Sequence, residues 1–296
     1  MIIWTIIVNG LITGIYYAMM ALGLTIIFGV LRIVNFAHGE FYMMGAFAYV
    51  LLYHGLGVPV WVALPSAILA GAALGWIVEK LLIRPVYADF GSWRHGRDEY
   101  AIIVTFGLGL LLVALMTKFV GPWSLQGPRL VNGAPLVFAG LRLLPNQLAT
   151  LAIAVACLAA TLGFLNYTLW GRQIRAVAQN RACAAIMGVD VGSVSTMVFA
   201  LAGGLAALAG ALLSNSISPT PDIGAFPAIK SYVVIVLGGL GSPLGALIGA
   251  LLLGVVESLG AFYVSSVYRD TYGLALLVLF LLVRPNGLFG EIRREI

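Results

Sequence analysis

Residues 35–40 read Asn35-Phe36-Ala37-His38-Gly39-Glu40, an amide, an imidazole and a carboxylate set between two long apolar runs. No Asp, Glu, Lys or Arg occurs from Met1 to Leu31, and none from Phe41 to Val78. Arg32, His38 and Glu40 therefore stand at the junction of two membrane spans or inside one. A charge near the bilayer centre costs about 2.5 to 3.5 kcal/mol on insertion scales, so such residues face a bundle interior, a water-filled cavity or the interface. Two placements meet that condition: a polar turn at the membrane surface, and a polar break within the bundle.

The rest of the chain has the composition of an integral membrane protein. Hydrophobic residues make up 61% of 296 and charged residues 9%, with a mean hydropathy of +1.05; soluble domains carry roughly 25% charged residues. Apolar runs predict spans over residues 5–30, 33–53, 59–79, 101–120, 146–168, 192–215, 229–240, 243–262 and 268–284, most of them long enough to cross the hydrocarbon as helices. The expected fold is an all-α, polytopic transmembrane bundle of 8 to 9 spans, a single domain over residues 1–296. The first run lacks the basic start of a cleaved signal peptide and is expected to remain as a permanent span.

The run at 229–240 is too short to cross comfortably. It ends in Gly238-Gly239-Leu240-Gly241-Ser242-Pro243-Leu244-Gly245, where glycines and a proline interrupt an otherwise apolar stretch. Gly238, Gly239 and Gly241 are candidates for a hinge or a close approach of two backbones, either in a re-entrant segment or in a tight loop between spans. Ala202, Ala206 and Gly210 recur at every fourth position, as do Gly245 and Gly249, a spacing that lets helices approach closely.

Basic residues set the orientation. Lys80, Arg84, Arg94 and Arg97 lie between Glu79 and Tyr100, Arg172, Arg175 and Arg181 between Trp170 and Val191, and Arg284, Arg293 and Arg294 in the tail at 285–296 or just before it. The positive-inside rule makes these segments cytoplasmic. Counting spans outward from them puts the N-terminus outside, and makes the tail cytoplasmic only if 229–240 counts as a pass. The net charge of +5 reflects this topology and anionic lipid headgroups, and calls for no nucleic-acid partner.

The cytoplasmic loop at 171–192 reads GRQIRAVAQNRACAAIMGVDVG. Ile174, Ala178, Ala182, Ala185 and Ile186 share one face at helical spacing, with Arg175 elsewhere, which predicts one short amphipathic helix ended by Gly188. Its alanine-rich face suits a protein groove better than a lipid surface.

Catalytic chemistry has no constellation here. Lys80, Lys118 and Lys230 are the lysines, and none completes a GxxxxGK[ST] phosphate loop. Cys157 and Cys183 lack the neighbours of a metal or redox motif, and His38, His54 and His95 lack ligand spacing, so no metal site is expected. Only Glu40 and Glu257 lie in or against apolar spans, a thin supply for a proton or sodium relay.

The runs Gly23-Leu24-Thr25-Ile26-Ile27-Phe28-Gly29 and Asn35-Phe36-Ala37-His38-Gly39-Glu40-Phe41-Tyr42-Met43-Met44-Gly45-Ala46 resemble the N-terminal signature of permeases from the branched-chain amino-acid ABC importers, H-type subunit. The loop with Ala182, Ala184, Ala185 and Gly188 is similar to an importer coupling loop, although Ala182 stands where a glutamate is common. The GGLGSPLGALIGALLLG stretch and the terminal Arg284-Pro285-Asn286-Gly287-Leu288-Phe289-Gly290 fit the same family. The resemblance implies a non-catalytic permease of the bacterial inner membrane that pairs with a second homologous permease. It also implies two cytoplasmic ATPases, which bind the ATP and magnesium, and a periplasmic solute-binding protein. On this basis Arg175, Ala178, Ala182, Ala185 and Gly188 are expected to couple to the ATPases, and Asn35, His38 and Glu40 to border the translocation pathway. Branched-chain or related hydrophobic amino acids are the expected cargo, with urea, amides or aromatic acids as the alternative on the same machinery. A self-contained secondary carrier or a channel is the rival class; dependence on ATP separates both from an importer.

Overall fold

The structure is a computed structural model that describes residues 2–85, 97–138, 141–285 and 287–289. Arg94, His95, Arg293 and Arg294 lie outside the described residues, as does the tail beyond Phe289. The helices are α1 (Ile2–Leu31), α2 (His38–Leu56), α3 (Val60–Val78, continued by a π-helical turn at Glu79–Ile83), α4 (Arg97–Phe119), α5 (Pro145–Tyr167), α6 (Leu169–Gln179), α7 (Arg181–Ile186), α8 (Val191–Leu213), α9 (Ala225–Gly238), α10 (Pro243–Tyr263) and α11 (Arg269–Val283). A small antiparallel hairpin, β1 (Leu136–Phe138) with β2 (Leu141–Leu143), decorates the connection before α5.

Among the described residues, seven helices are long and apolar enough to cross a membrane. The other two expected spans differ: α2 has 19 residues but carries His38, Glu40 and His54 and is less apolar, and α9 has only 14. The run at 33–53 yields a helix only from His38, and the run at 229–240 becomes α9 at Ala225–Gly238. Residues 32–37 are non-helical, and His38 Nε2 lies 3.0 Å from the carbonyl of Met20, well inside α1. At 1.5 Å per residue, α2 therefore begins about 16 Å back along α1 from that helix's end.

α1 and α8 are the most buried spans and form the centre of the bundle. Small residues make this possible. Gly10 and Gly14 of α1 meet the backbone of α10 at Ala250, Gly254 and Val255, and Gly23 meets Ala202 of α8. On α8, Gly203 lies against Gly71 of α3, and Gly210 against the Tyr42 carbonyl of α2; a methyl group at either would overlap backbone. Lipid tails are as apolar as leucine, so helices associate through such close van der Waals contact rather than through burial of large side chains. Large side chains fill the interior as well, with Phe41, Tyr42, Phe47 and Phe199 fully buried, while others such as Ile103, Leu110, Leu282 and Val283 point outward.

The basic segments gather at one end. Arg84 follows the π turn and its guanidinium lies beside Gly192 at the start of α8, while Arg32 donates to the Ala178 carbonyl of α6. Glu79, buried in the same π turn, accepts a 2.6 Å hydrogen bond from Thr196 of α8. The connection at 120–135 closes the opposite end, where Gly127 N donates to Ser214 O and His54 Nε2 lies 3.0 Å from Gln126 O. From there the non-helical residues 214–224 lead back into the bundle to the start of α9, so α9 and that segment together make one pass.

α9 leaves the interior and ends at Gly238, which packs on Gly245 of α10. Gly239 and Gly241 have φ of 102° and 85°, a region open to glycine, and Ser242 caps α10 by accepting from Gly245 N at 3.1 Å. The glycine-rich stretch is thus a tight corner rather than a re-entrant segment. Two carbonyls at the end of α9 receive hydrogen bonds from the tail, Leu288 N to Leu237 O at 2.9 Å and Phe289 N to Gly238 O at 3.0 Å.

A buried ion-pair network pins α9 to its neighbours. Lys230 contacts Glu257 of α10 and, at 2.9 Å, Asp270 of α11. Glu257 also accepts from Tyr17 of α1 at 2.9 Å, and Arg269 lies 3.6 Å from it. Glu257 is therefore an interior charge met from three helices.

Three stability outcomes follow from this packing and from the ion-pair network. Gly210→Ala is expected to lose about 1 to 3 kcal/mol in equilibrium unfolding in mixed micelles, because the backbones of α8 and α2 must part. Gly163→Ala, where open space surrounds the new methyl, is expected to be neutral or to gain up to about 1 kcal/mol. Lys230→Met is expected to cost about 3 to 5 kcal/mol by stranding the Glu257 carboxylate, and adding Glu257→Gln to recover most of it; a double-mutant cycle reads the difference.

Candidate functional site

The polar break is held by the end of α1, by its own Asn35 side chain and by partners from two other helices, α4 and α9. α1 ends with Arg32 in the left-handed region at φ 59°, its N–H donating to Phe28 O at 2.9 Å. Asn35 Oδ1 then accepts from Ala37 N at 3.1 Å, and the Asn35 carbonyl accepts from the Tyr232 hydroxyl of α9 at 2.6 Å. Phe36 N donates to Thr105 Oγ1 of α4 at 3.1 Å. Non-helical backbone survives at membrane depth only where protein or a cavity can satisfy it, and these contacts do so for Phe36 N, Ala37 N and the Asn35 carbonyl.

The three polar residues of the motif divide their roles. Asn35 and His38 are fully buried, so the break lies inside the bundle and is not a turn at the membrane surface. The Met20 carbonyl can only accept, which fixes the proton on His38 Nε2 and leaves Nδ1 without a partner. Asn35 Nδ2 and the hydroxyl of Tyr42 are also buried without partners. Such atoms are rare in folded proteins and call for a physical account. Glu40 differs in being only half-buried.

The break is also where two helices start. Gly39, in the first turn of α2, meets Gly224, the residue that opens α9, backbone to backbone; a methyl group on either would strike the other. Two helix N-termini, each with partial positive charge, thus converge beside Glu40 in the interior. Three aromatic rings border the same place. Phe36 lies 5.6 Å from the Tyr232 ring and, edge to face, 6.5 Å from Phe106 of α4. Phe106 and Tyr232 sit in ordinary apolar runs, and nothing in their local sequence sets them apart from core or lipid-facing aromatics.

At the basic end, the expected single helix is two. α6 stops at Gln179, Asn180 adopts an extended conformation, and its side chain caps α7 by accepting from Cys183 N at 3.0 Å. An asparagine before Arg181-Ala182-Cys183 is an N-cap signal that outweighs the helical spacing across it. The break splits the predicted face. Ile174 and Val177 are buried against the bundle and Ala178 is half-buried, its carbonyl under Arg32, whereas Ala182, Ala185, Ile186, Met187 and Gly188 are exposed. Arg175 is exposed and reaches the Asn166 carbonyl at 3.4 Å. Asp190 caps α8; hydrogen bonds from the Ser193 hydroxyl, Ser193 N and Gly192 N hold its carboxyl below the usual range.

The corner glycines Gly238, Gly239 and Gly241 lie at this same end. Gly241 packs on Gly29 in the last part of α1, so they meet neither Glu40 nor the aromatic rings.

Comparison with known proteins agrees with this architecture. The permease LivH of the high-affinity branched-chain amino acid transport system of Salmonella typhimurium is 33% identical over 297 residues, covering 96% of this chain and 94% of LivH. The permease LivM of the Escherichia coli system is 25% identical over 312 residues, covering 95% of this chain and 69% of LivM. Among solved structures, PsaBC from Streptococcus pneumoniae in complex with Fab superposes with a TM-score of 0.50 at 13% identity, over 95% of this chain and 92% of that one, a likeness of fold alone. The family model described as branched-chain amino acid transport system / permease component matches residues 6–283, and the chain belongs to that family of membrane permeases.

Proposed function

We propose that this chain is the membrane-spanning subunit of an ATP-driven importer and forms, with a second homologous permease, the path for branched-chain or related hydrophobic amino acids. Membership of the permease family over nearly the whole chain carries this reading. Two cytoplasmic ATPases supply the energy and hold the ATP and magnesium, while a solute-binding protein delivers the cargo from the periplasm. Positively charged loops favour the cytoplasmic side, so the end with Arg32, Arg84 and Arg175 faces the cytoplasm and the N-terminus faces the periplasm of a bacterial inner membrane. The odd number of passes, with residues 214–224 and α9 counted as one, supports that orientation.

In this reading the ATPases dock on α7 and the turn after it. Ile186 and Met187 are more than four-fifths exposed there, and Ala182, Ala185 and Gly188 leave room for a partner groove. Ala178 lies on the inner side and acts as a contact between the coupling helices and α1, through Arg32. Closure of the ATPase dimer moves α6 and α7 against α1 and α8, and the bundle alternates between states open to either side. Asn35 and His38 brace the interior break that shapes the path.

The deciding experiment is co-purification from the native membrane, then ATPase assay in proteoliposomes with a panel of amino acids, urea and aromatic acids. Recovery of two ATPases and stimulation by leucine-like ligands supports the reading; stimulation by urea alone changes the cargo, and transport without ATP overturns the class. Ala185→Arg is expected to lower substrate-stimulated ATPase activity by about ten-fold, the scale of one lost hydrophobic anchor with a new desolvated charge. His38→Ala is expected to lower uptake and to cost about 1 to 3 kcal/mol of stability in micelles, because a helix break loses one of its ties.

A further inference from the structure

Glu79, at the basic end, is met by Thr196, whereas the other two carboxylates set into the bundle, Glu257 and Glu40, are treated in opposite ways. Glu257 is met by Lys230, Arg269 and Tyr17. Among the described residues no Lys, Arg or His forms an ion pair with Glu40, and its buried Oε2 has no hydrogen-bond partner. A carboxylate left so is costly at this depth unless something else stabilises the charge. The position supplies part of that, since Glu40 is in the first turn of α2, at the positive end of the helix. What the position does not supply is a counter-ion.

The surroundings of Glu40 are aromatic and open. Tyr232 lies within electrostatic reach of the carboxylate, and its ring packs on Phe36 at a tilt of 37°. Phe36 is 41% exposed and Phe106 56% exposed, so this cluster is not sealed core. Gly109, one turn beyond Phe106 on α4, keeps the flank of the carboxylate clear; a methyl there would stand 3.4 Å from Glu40 Cδ. A lone carboxylate beside ring faces selects a cation with an apolar body, because the rings attract the charge through their quadrupoles and the body through contact.

We propose that Glu40, Phe36, Phe106 and Tyr232 form a transit subsite for a solute that carries a primary ammonium group next to an apolar side chain, the carboxylate taking the ammonium and the rings the side chain. The proposal rests on the importer reading above and names which part of the cargo the membrane subunit itself senses. Few polar contacts surround the ligand here, so it binds weakly and leaves quickly, as a conduction step requires. Solutes bearing only a carboxylate, or no charge, lack the main contact.

The test uses the complete transporter, with its partner permease, ATPases and binding protein, in proteoliposomes. Glu40→Gln keeps the shape and removes the charge; leucine uptake is expected to fall by about ten-fold or more, with Glu40→Asp restoring part of it. Saturation-transfer NMR on the purified complex gives a second reading. Isoamylamine is expected to show transfer that Glu40→Gln abolishes and Phe106→Ala weakens, whereas 4-methylpentanoate shows none. Should Glu40→Gln fail to assemble, Phe106→Ala and the NMR probes on the wild type decide the matter. If the wild type imports leucine and Glu40→Gln matches it within about two-fold with the amine signal unchanged, the subsite falls and the importer stands. If the wild type imports no apolar amino acid, the functional reading falls and takes the subsite with it.

Discussion

Hydrocarbon offers no hydrogen bonds, and the architecture around residues 32–37 is an answer to that constraint. The chain leaves α1, runs without helix through the interior and re-forms a helix at His38. Backbone groups in the break need partners, and two come from elsewhere, Tyr232 from α9 and Thr105 from α4, while Asn35 supplies a third from the break itself. Those contacts fix where α4 and α9 stand relative to α2. The small residues that pack α1, α8 and α10 then bring the remaining helices close enough for this arrangement to hold.

The treatment of charge separates structure from function in the same interior. The Lys230 network joins four helices through one carboxylate, which Lys230 and Tyr17 both meet directly. A network of this kind is weak evidence for stability in itself but strongly resists the loss of one member. Glu40 has the opposite design, a charge supported by a helix end and left without a partner, in a place where rings rather than ions line the wall.

Hydropathy announced most of the spans because a bilayer demands long apolar runs, and the family motif placed the polar break. It did not announce where α2 begins. Ile33, Val34 and Phe36 read as the start of a helix, yet they belong to a non-helical segment held by Tyr232 and Thr105, far away in sequence. For α9 the apolar run starts late because Pro227 and the turn-forming residues before it mask the first turn, where proline is tolerated. Lys230 in that run was a legible sign of a buried partner, and Glu257 was its natural match. The division of 171–192 into two helices was legible too, through Asn180. Phe106 and Tyr232 carry no such sign, since an aromatic residue in an apolar helix reads the same whether it lines a path, fills a core or touches lipid.

The meeting of Gly39 and Gly224 has a mechanical meaning. α2 leaves this point toward one face of the membrane and α9 toward the other, so the two act as one interrupted span whose hydrogen-bond ladder is already open in the middle. Bending a continuous helix breaks backbone bonds; bending at this joint breaks none of the helical ones. Compliance is therefore concentrated in the interior, beside Glu40 and the aromatic rings, while the rigid helices on either side behave as levers about it.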